Sequence, residues 1–185
     1  MTDQPSRIVL SETVTRDAID DAMHRCGWQL TNVVPPTGLH PGQLIFAAAE
    51  PETILYLVQD GRLGVIYVAA LGQGAEAVLS QVRFELPCCD VDSWGELVDD
   101  PSDLERFRRG LAIMALTAPG PSPERVARFV RALSHADSRV RRAALTAASY
   151  AVWPDLRSAL EAVRDHDPID ELRSGAAQLI DEISS

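Results

Sequence analysis

Three cysteines and four histidines are the residues of this 185-residue chain best suited to hold a metal or act as nucleophile and base. His24-x-Cys26 with Cys88-Cys89 offers four zinc-ligand types. Zinc ligands come in pairs spaced by two to four residues, because both must converge on one ion from one turn. Adjacent Cys88 and Cys89 point apart, and no Glu lies two residues after His24, as a zinc deaminase signature requires. Cys26 falls on an apolar helix stripe. The cysteines therefore read as a core residue and two loop residues at a domain border, with no metal and no redox pair.

Gly72-Gln73-Gly74-Ala75-Glu76-Ala77 has the G-x-G-x-x-A spacing that lets a pyrophosphate approach a helix N-terminus. Here the preceding strand belongs to a hairpin, and no strand follows to carry a ribose carboxylate. The segment reads as a strand-to-helix turn, and no cofactor is expected. Nucleophilic catalysis lacks a G-x-S-x-G elbow. His40, His135 and His166 lie in connections, beside no nucleophile. Asp99-Asp100 and Asp165-x-Asp167 resemble paired carboxylates but sit at helix starts, where capping accounts for acids. No catalytic residue is expected.

The largest polar set is Arg106, Arg108, Arg109, Arg125, Arg128, Arg131, Arg139, Arg141, Arg142 and Arg173. Arginines along a helical array could track phosphates. The same helices carry as many acids, and Arg141 and Arg173 directly follow acidic turns. Bonds from such arginines to neighbouring-turn aspartates would brace one helix pair on the next.

The elements behind these residues change character along the chain. Arg7–Leu10 reads as a strand. Ile19, Ala22, Met23 and Cys26 form one helix face, with Thr15 as N-cap, Gly27 at C′ and Trp28 folding back. Gln43–Ala47 is a strand. Residues 54–59 and 62–68 flank Asp60-Gly61, a two-residue type I′ hairpin signal that sets Tyr56 opposite Val65 and Leu55 opposite Ile66. Val78, Leu79, Val82 and Leu86 mark a second helix, ended by Pro87. The order is β-α-(β)-β-β-β-α, an antiparallel sheet with helices against it. The hairpin is apolar on both faces: Ile54, Tyr56, Val58, Val65 and Tyr67 on one, Leu55, Leu57, Ile66 and Val68 on the other. Cover from within the chain or from a second copy is expected, so monomer and homodimer both stand.

From Trp94 onward the period is helical. The stripes are Leu104, Phe107, Leu111 and Met114; Val126, Phe129, Val130 and Leu133; Val140, Ala143, Ala144 and Ala147; Leu156, Ala159, Leu160 and Val163; and Ile169, Leu172, Ala176, Leu179 and Ile180. Tight breaks at residues 119–123 and 153–154 make neighbours antiparallel. Two domains follow, 1–93 and 94–185: an α+β domain with an antiparallel sheet, then a short all-α array.

Charge divides the chain at nearly the same place. The formal net charge is −10. Residues 1–100 hold five arginines and fifteen acids, and residues 101–185 hold twelve of each. All 17 basic residues are arginine, a skew that fits codon usage better than mechanism. With 46% apolar residues the chain can build a core. No apolar run reaches a membrane span, no signal peptide is visible and three cysteines make no disulfide framework, so a cytoplasmic setting is expected.

Phe107-Arg108-Arg109-Gly110-Leu111 aligns with Val140-Arg141-Arg142-Ala143-Ala144 at an offset of 33, and the latter with Leu172-Arg173-Ser174-Gly175-Ala176 at 32. An acidic turn precedes each. This pattern resembles HEAT and HEAT-like repeats over residues 94–183, at a spacing shorter than their usual one of about 40 to 47 residues. The resemblance implies stacked helix pairs that bind another protein. The expected role is non-enzymatic recognition in an adaptor, regulatory or assembly setting. The candidate surface carries Arg109, Arg142, Arg173 and Trp153, or is the acidic face of the first domain. Alternatives are an immunity protein against a basic toxin, a HEAT-like lyase using Trp153, Tyr150 and Asp155, and a nucleic-acid binder. Against the last stand the strongly negative charge and the arginine–acid balance.

Overall fold

In the computed structural model, residues 6–38, 40–48, 53–90 and 94–184 are described. They fall into two compact units, residues 1–90 and 91–185.

Turn chemistry at residues 60–64 sets the register of the first unit's sheet. Strand β1 (Ser6–Val9) and helix α1 (Arg16–Arg25) precede β2 (Gln29–Val34), β3 (Gly42–Ala48), β4 (Thr53–Asp60), β5 (Val65–Gly72) and α2 (Ala75–Glu85). The β4–β5 loop has four residues, not the two expected. Buried Asp60 accepts backbone N–H bonds from Arg62 at 2.9 Å and Leu63 at 3.0 Å through Oδ1. Gly64 closes the loop at φ 71° with its N–H on the Asp60 carbonyl, 2.8 Å away. A type I′ turn needs positive φ at both central residues, and neither Asp60 nor Gly61 has it. The carboxylate satisfies two loop donors at once, and that outweighs the Asp-Gly turn preference. Tyr56 therefore faces Ala69 and Leu55 faces Ala70, four residues from the expected partners. An even shift leaves each side chain on its expected face.

The sheet order is β1-β5-β4-β3-β2, antiparallel throughout. Both helices pack on one face. Ile19, Met23, Val78, Leu79 and Val82 bury Ile8, Phe46, Leu55, Leu57, Val68 and Ala70 beneath them. Helix α1 is set by local chemistry. Thr15 Oγ1 accepts from the Ala18 N–H at 3.2 Å. At its other end Gly27, φ 69°, donates to the His24 carbonyl and Trp28 to the Met23 carbonyl, both at 3.0 Å. This pair of bonds is a Schellman motif, and it folds Trp28 into the core.

The sheet's two edges are treated differently. Residues 87–89 cover β1: Leu10 bridges Cys88, and the Cys89 N–H reaches the Val9 carbonyl at 2.8 Å. Strand β2 is the other edge, exposed along nearly its whole length. Sequence reading allowed a strand at this point in the order without assigning its residues.

The second unit comprises α3 (Leu104–Thr117), α4 (Pro123–Leu133), α5 (Ser138–Ala151), a 3-10 turn (Pro154–Leu156), α6 (Arg157–His166) and α7 (Asp170–Ser184). Asp103, Ser122 and Asp137 cap three helices through side-chain oxygens, and Pro123 takes the first position of α4. Helix α5 packs against α3 on one side and α7 on the other, while α4 packs on α5 and α6, and α6 on α7. The result is two layers, with α3, α5 and α7 in one and α4 and α6 in the other. The offset motif falls on the three helices of a single layer. Phe129, Leu133, Val140, Ala144, Leu156, Leu160, Leu172 and Ala176 are buried. Val130 was expected in the α4 stripe; it is 39% exposed, on the groove between α4 and α6. Among the described residues no helix is long and apolar enough to cross a membrane.

Candidate interaction surface

The helix-bearing face of the sheet is apolar beyond the reach of its two helices. One cross-strand row runs Ile8, Val68, Leu57, Leu44, Val33, and the next runs Ala70, Leu55, Phe46, Leu30. Ile8, Val68 and Leu57 are buried and Leu44 half-buried, whereas Val33 is 55% exposed. Leu30 ends its row at 52%. Leu30 and Val33 are three residues apart and would fall on opposite faces of a regular strand. A bulge between Leu30 and Asn32 absorbs Thr31 and returns both to one face.

Beside this strip lies a cavity of about 460 Å³, lined by Arg16 and Ile19 of α1, Val33, Pro36, Leu44 and Leu57 among others. Its walls are largely apolar, with Arg16, Gln43 and Gln59 as polar members. Arg16 is not a free cation, because its Nε meets both Asp20 oxygens at 3.0 Å. Asp17, Asp20 and Asp21 are exposed on α1. Residues 1–90 carry eleven acids and five arginines. The structure thus presents a largely apolar recess bordered by the Arg16–Asp20 ion pair, in a unit whose sequence is rich in acids. Phe84 of α2, 88% exposed, is a separate apolar feature on an open cleft with Arg25, Cys26 and Glu85.

The residues singled out on the helical unit are engaged internally. Arg142 pairs with Glu171 and Arg173 with Asp170. Arg109 stands half-buried on α3. Trp153 is buried, its ring edge-on to Phe129 with centroids 5.5 Å apart, so it does not present a docking side chain. Asp155 is exposed and Tyr150 half-buried, so the three residues of the lyase reading face different surroundings. The expected brace is present: Arg141 Nε meets Asp167 Oδ2 at 2.6 Å. Arg108, Arg128, Arg139, Arg157 and Arg164 also meet carboxylates.

Among the described residues no three His, Cys, Asp or Glu side chains converge as metal ligands. Cys26 caps the C-terminus of α1. Cys88 donates to the Leu86 carbonyl, and burial pushes its thiol up to about 11, far from a reactive thiolate at neutral pH. Gly72 takes φ 111° and Gly74 starts α2 without a side-chain cap. His135 Nδ1 accepts the Asp137 N–H at 3.1 Å, closing the turn before α5.

The feature that sequence reading missed is the β2 strip. Thr31, Val33 and Val34 before Pro35-Pro36 are β-favouring residues, but the bulge hides their alternation. Compared with family models, curated proteins and solved structures, the chain matches none.

Proposed function

We propose that this chain is a non-enzymatic protein-recognition protein of the adaptor, regulatory or assembly kind. Its acidic α+β unit receives a segment of another protein, and its helical unit is a short HEAT-like array that serves as a scaffold. One observation carries the reading. The two apolar rows of the sheet continue past α1 to exposed Leu30 and Val33, next to a cavity large enough for apolar side chains. Contiguous apolar surface under a polar rim marks interaction sites. The acid excess of residues 1–90 favours a basic partner, and this also supports the narrower reading of an inhibitor of a basic protein. The pairing of the helical unit's arginines with acids favours bracing over phosphate contact.

The test is site-specific photo-crosslinking in the native host, with the reactive residue at Val33 and a control at Arg83 on α2. Adducts with a defined, identified protein from position 33, absent from position 83, support the reading. No adduct from position 33, or the same adducts from both positions, overturns it. For the inhibitor variant, affinity for the identified partner must fall steeply as salt rises.

A further inference from the structure

We infer that the helical unit holds a separate small-molecule site, a cavity beside α4 that takes a carboxylate on a compact apolar body. The site is independent of the surface on the first unit.

The cavity, of about 220 Å³, lies between one flank of α4, the turn at residues 98–101 and the starts of α3 and α5. Arg128, Arg131, Ala132 and His135 line it. Their spacing of three, four and seven residues places them on a single stripe of α4 and the turn that ends it. Val130 and Leu133, elsewhere on the same helix, line the groove toward α6 instead. The floor is apolar: Val98, Phe107, Ala132 and Val140 are all buried.

Arg131 sets the charge of the ligand. Asp99 lines the cavity, and Glu124 stands one turn before Arg128 on the same stripe. Both are turned to Arg128, whose Nη1 bonds Asp99 and whose Nη2 lies 3.8 Å from Glu124. Asp137, at the start of α5, is held by Arg139, and Asp100 accepts the Ser102 N–H at 2.9 Å. Arg131 is exposed and meets no carboxylate among the described residues. The lining therefore has two guanidinium groups against one carboxylate, with one positive charge left over.

Donors are in excess as well. His135 Nδ1 accepts the Asp137 N–H at 3.1 Å, so the neutral ring carries its proton on Nε2, which donates to no described residue. Arg128 Nε is buried and has no acceptor among the described residues. The lining thus asks for an acceptor that carries negative charge.

A guanidinium matches a carboxylate with two parallel N–H···O bonds. One uncompensated positive charge suits a monoanion better than a doubly charged phosphate. The buried apolar floor calls for carbon and not for a hydrated inorganic ion. Size limits the body. At about 30 Å³ per water the cavity holds about seven water volumes, and it falls below the roughly 300 to 1,000 Å³ of pockets for drug-sized ligands. A branched short-chain acid or a single aromatic ring bearing a carboxylate is of that size. The chain's net charge of −10 opposes an anion at long range. Salt screens that field beyond about 8 Å, so the site works through contact and not through steering.

The test is titration of the isotope-labelled full chain with benzoate, isovalerate, benzamide and inorganic phosphate, followed by amide NMR shifts. Benzoate or isovalerate is expected to saturate with a Kd of about 1 mM, moving the amides of residues 98–101 and 131–136 together. Benzamide has nearly the same shape without the charge and should bind about tenfold more weakly. Arg131→Gln, at an exposed position that keeps the fold, should weaken benzoate about tenfold, and Arg131→Lys should recover part of the loss. Arg83→Gln on α2 should change nothing. A peptide ending in leucine, with a free or an amidated C-terminus, identifies the source of the carboxylate. Tighter binding of the free-ended peptide than of isovalerate assigns the site to a partner's C-terminus, and the reverse assigns it to a free acid. No saturable shift with either acid or the peptide overturns the site. So do benzamide or phosphate binding as tightly as benzoate, shifts that do not gather around the cavity, or indifference to Arg131→Gln.

Discussion

Arg141 of α5 and Asp167 of the turn before α7 form a buried two-pronged pair, Nε to Oδ2 at 2.6 Å and Nη2 to Oδ1 at 3.1 Å. The third nitrogen, Nη1, donates to the His135 and Ala136 carbonyls, both at 2.9 Å. One side chain thus ties the turn before α5 to the turn before α7. Side-chain exposures of 10% and 1% make the pair costly to break, because the survivor is left buried and uncompensated. Arg141→Ala is expected to lose about 3 to 5 kcal/mol in urea unfolding. Arg141→Lys should recover only part of that, since a point charge cannot reproduce the planar fork. Equal stability of wild type and Arg141→Ala would contradict the brace.

The same pair gives the acid limb of stability. The hydrogen bonds from Arg141, outweighing the opposing effect of burial, hold the Asp167 carboxyl below its ordinary value. A depressed carboxylate stabilises the fold above its unfolded pKa and loses that contribution as pH falls through its folded pKa. The stability difference between wild type and Asp167→Asn should be constant near neutrality and shrink below about pH 4. Asp137 is pushed down to about 2 by hydrogen bonds from Arg139, but Arg139 is exposed and solvent screens the half-buried carboxylate's pair. Asp137→Asn should therefore leave the acid limb close to that of wild type. A difference between wild type and Asp167→Asn that grows with acidity would contradict the assignment.

Locally encoded features were the legible ones. The Thr15 cap, the Gly27-Trp28 stop and Pro123 at a helix start each act within one turn, so sequence alone displays them. The α+β class followed from the change of period near residue 94. The faces of the β4–β5 hairpin were also legible, because alternation survives an even register shift. Its register was not, since the Asp60 carboxylate competes with a backbone turn. The candidate site was the least legible part. Its key residues, Leu30 and Val33, share a face only through a bulge. The fates of Arg142 and Arg173 depend on which acids the fold brings near, Glu171 in one case and Asp170 in the other. Trp153 has the same type and spacing whether it faces outward or packs on Phe129.

Gly110 and Gly175 occupy the same slot of the offset motif, with Ala143 between them, yet they should respond differently to a methyl group. A Cβ at Gly110 would lie 2.7 Å from both Leu97 Cβ and Val98 Cγ1. A Cβ at Gly175 would lie 3.0 Å from Leu145 Cδ2, the movable end of a side chain. Alanine gains about 1 kcal/mol over glycine in a helix interior. At Gly175 that gain should survive in part, giving a neutral or slightly stabilised protein. At Gly110 overpacking of about 1 to 3 kcal/mol should exceed it. Melting temperatures of Gly110→Ala and Gly175→Ala check the contrast, and equal shifts would refute it.

Asp60 makes the hairpin testable as well. Asp60→Ala removes the acceptor for the Arg62 and Leu63 N–H groups next to the fully buried Leu63 side chain. Two loop donors lose their partner, at a cost of about 1 to 3 kcal/mol. Asp60→Asn keeps an oxygen acceptor and should recover most of the loss. If the chain formed the two-residue type I′ turn instead, Asp60→Asn would match or exceed wild type, because Asn-Gly favours that turn. Chemical denaturation of the two variants separates the cases.

Helix α5 ends on a residue its backbone disfavours. Val152 sits at φ 48°, ψ 43°, a left-handed C-cap, with its N–H on the Ala148 carbonyl at 3.0 Å. A β-branched side chain there costs roughly 1 to 2 kcal/mol, because Cβ crowds the following carbonyl. Half-buried Val152 offsets part of that through the contacts it makes. Val152→Asn is better suited to the conformation but forfeits those contacts, so it should be near neutral. Val152→Gly removes the strain at the price of a looser unfolded chain and should also stay within about 1 kcal/mol of wild type. Val152→Ala forfeits the contacts and keeps most of the strain, so it should be the least stable of the three. Ranking the three by thermal unfolding decides whether backbone strain or side-chain packing governs this cap; an alanine variant as stable as the glycine one would show that the strain is not there.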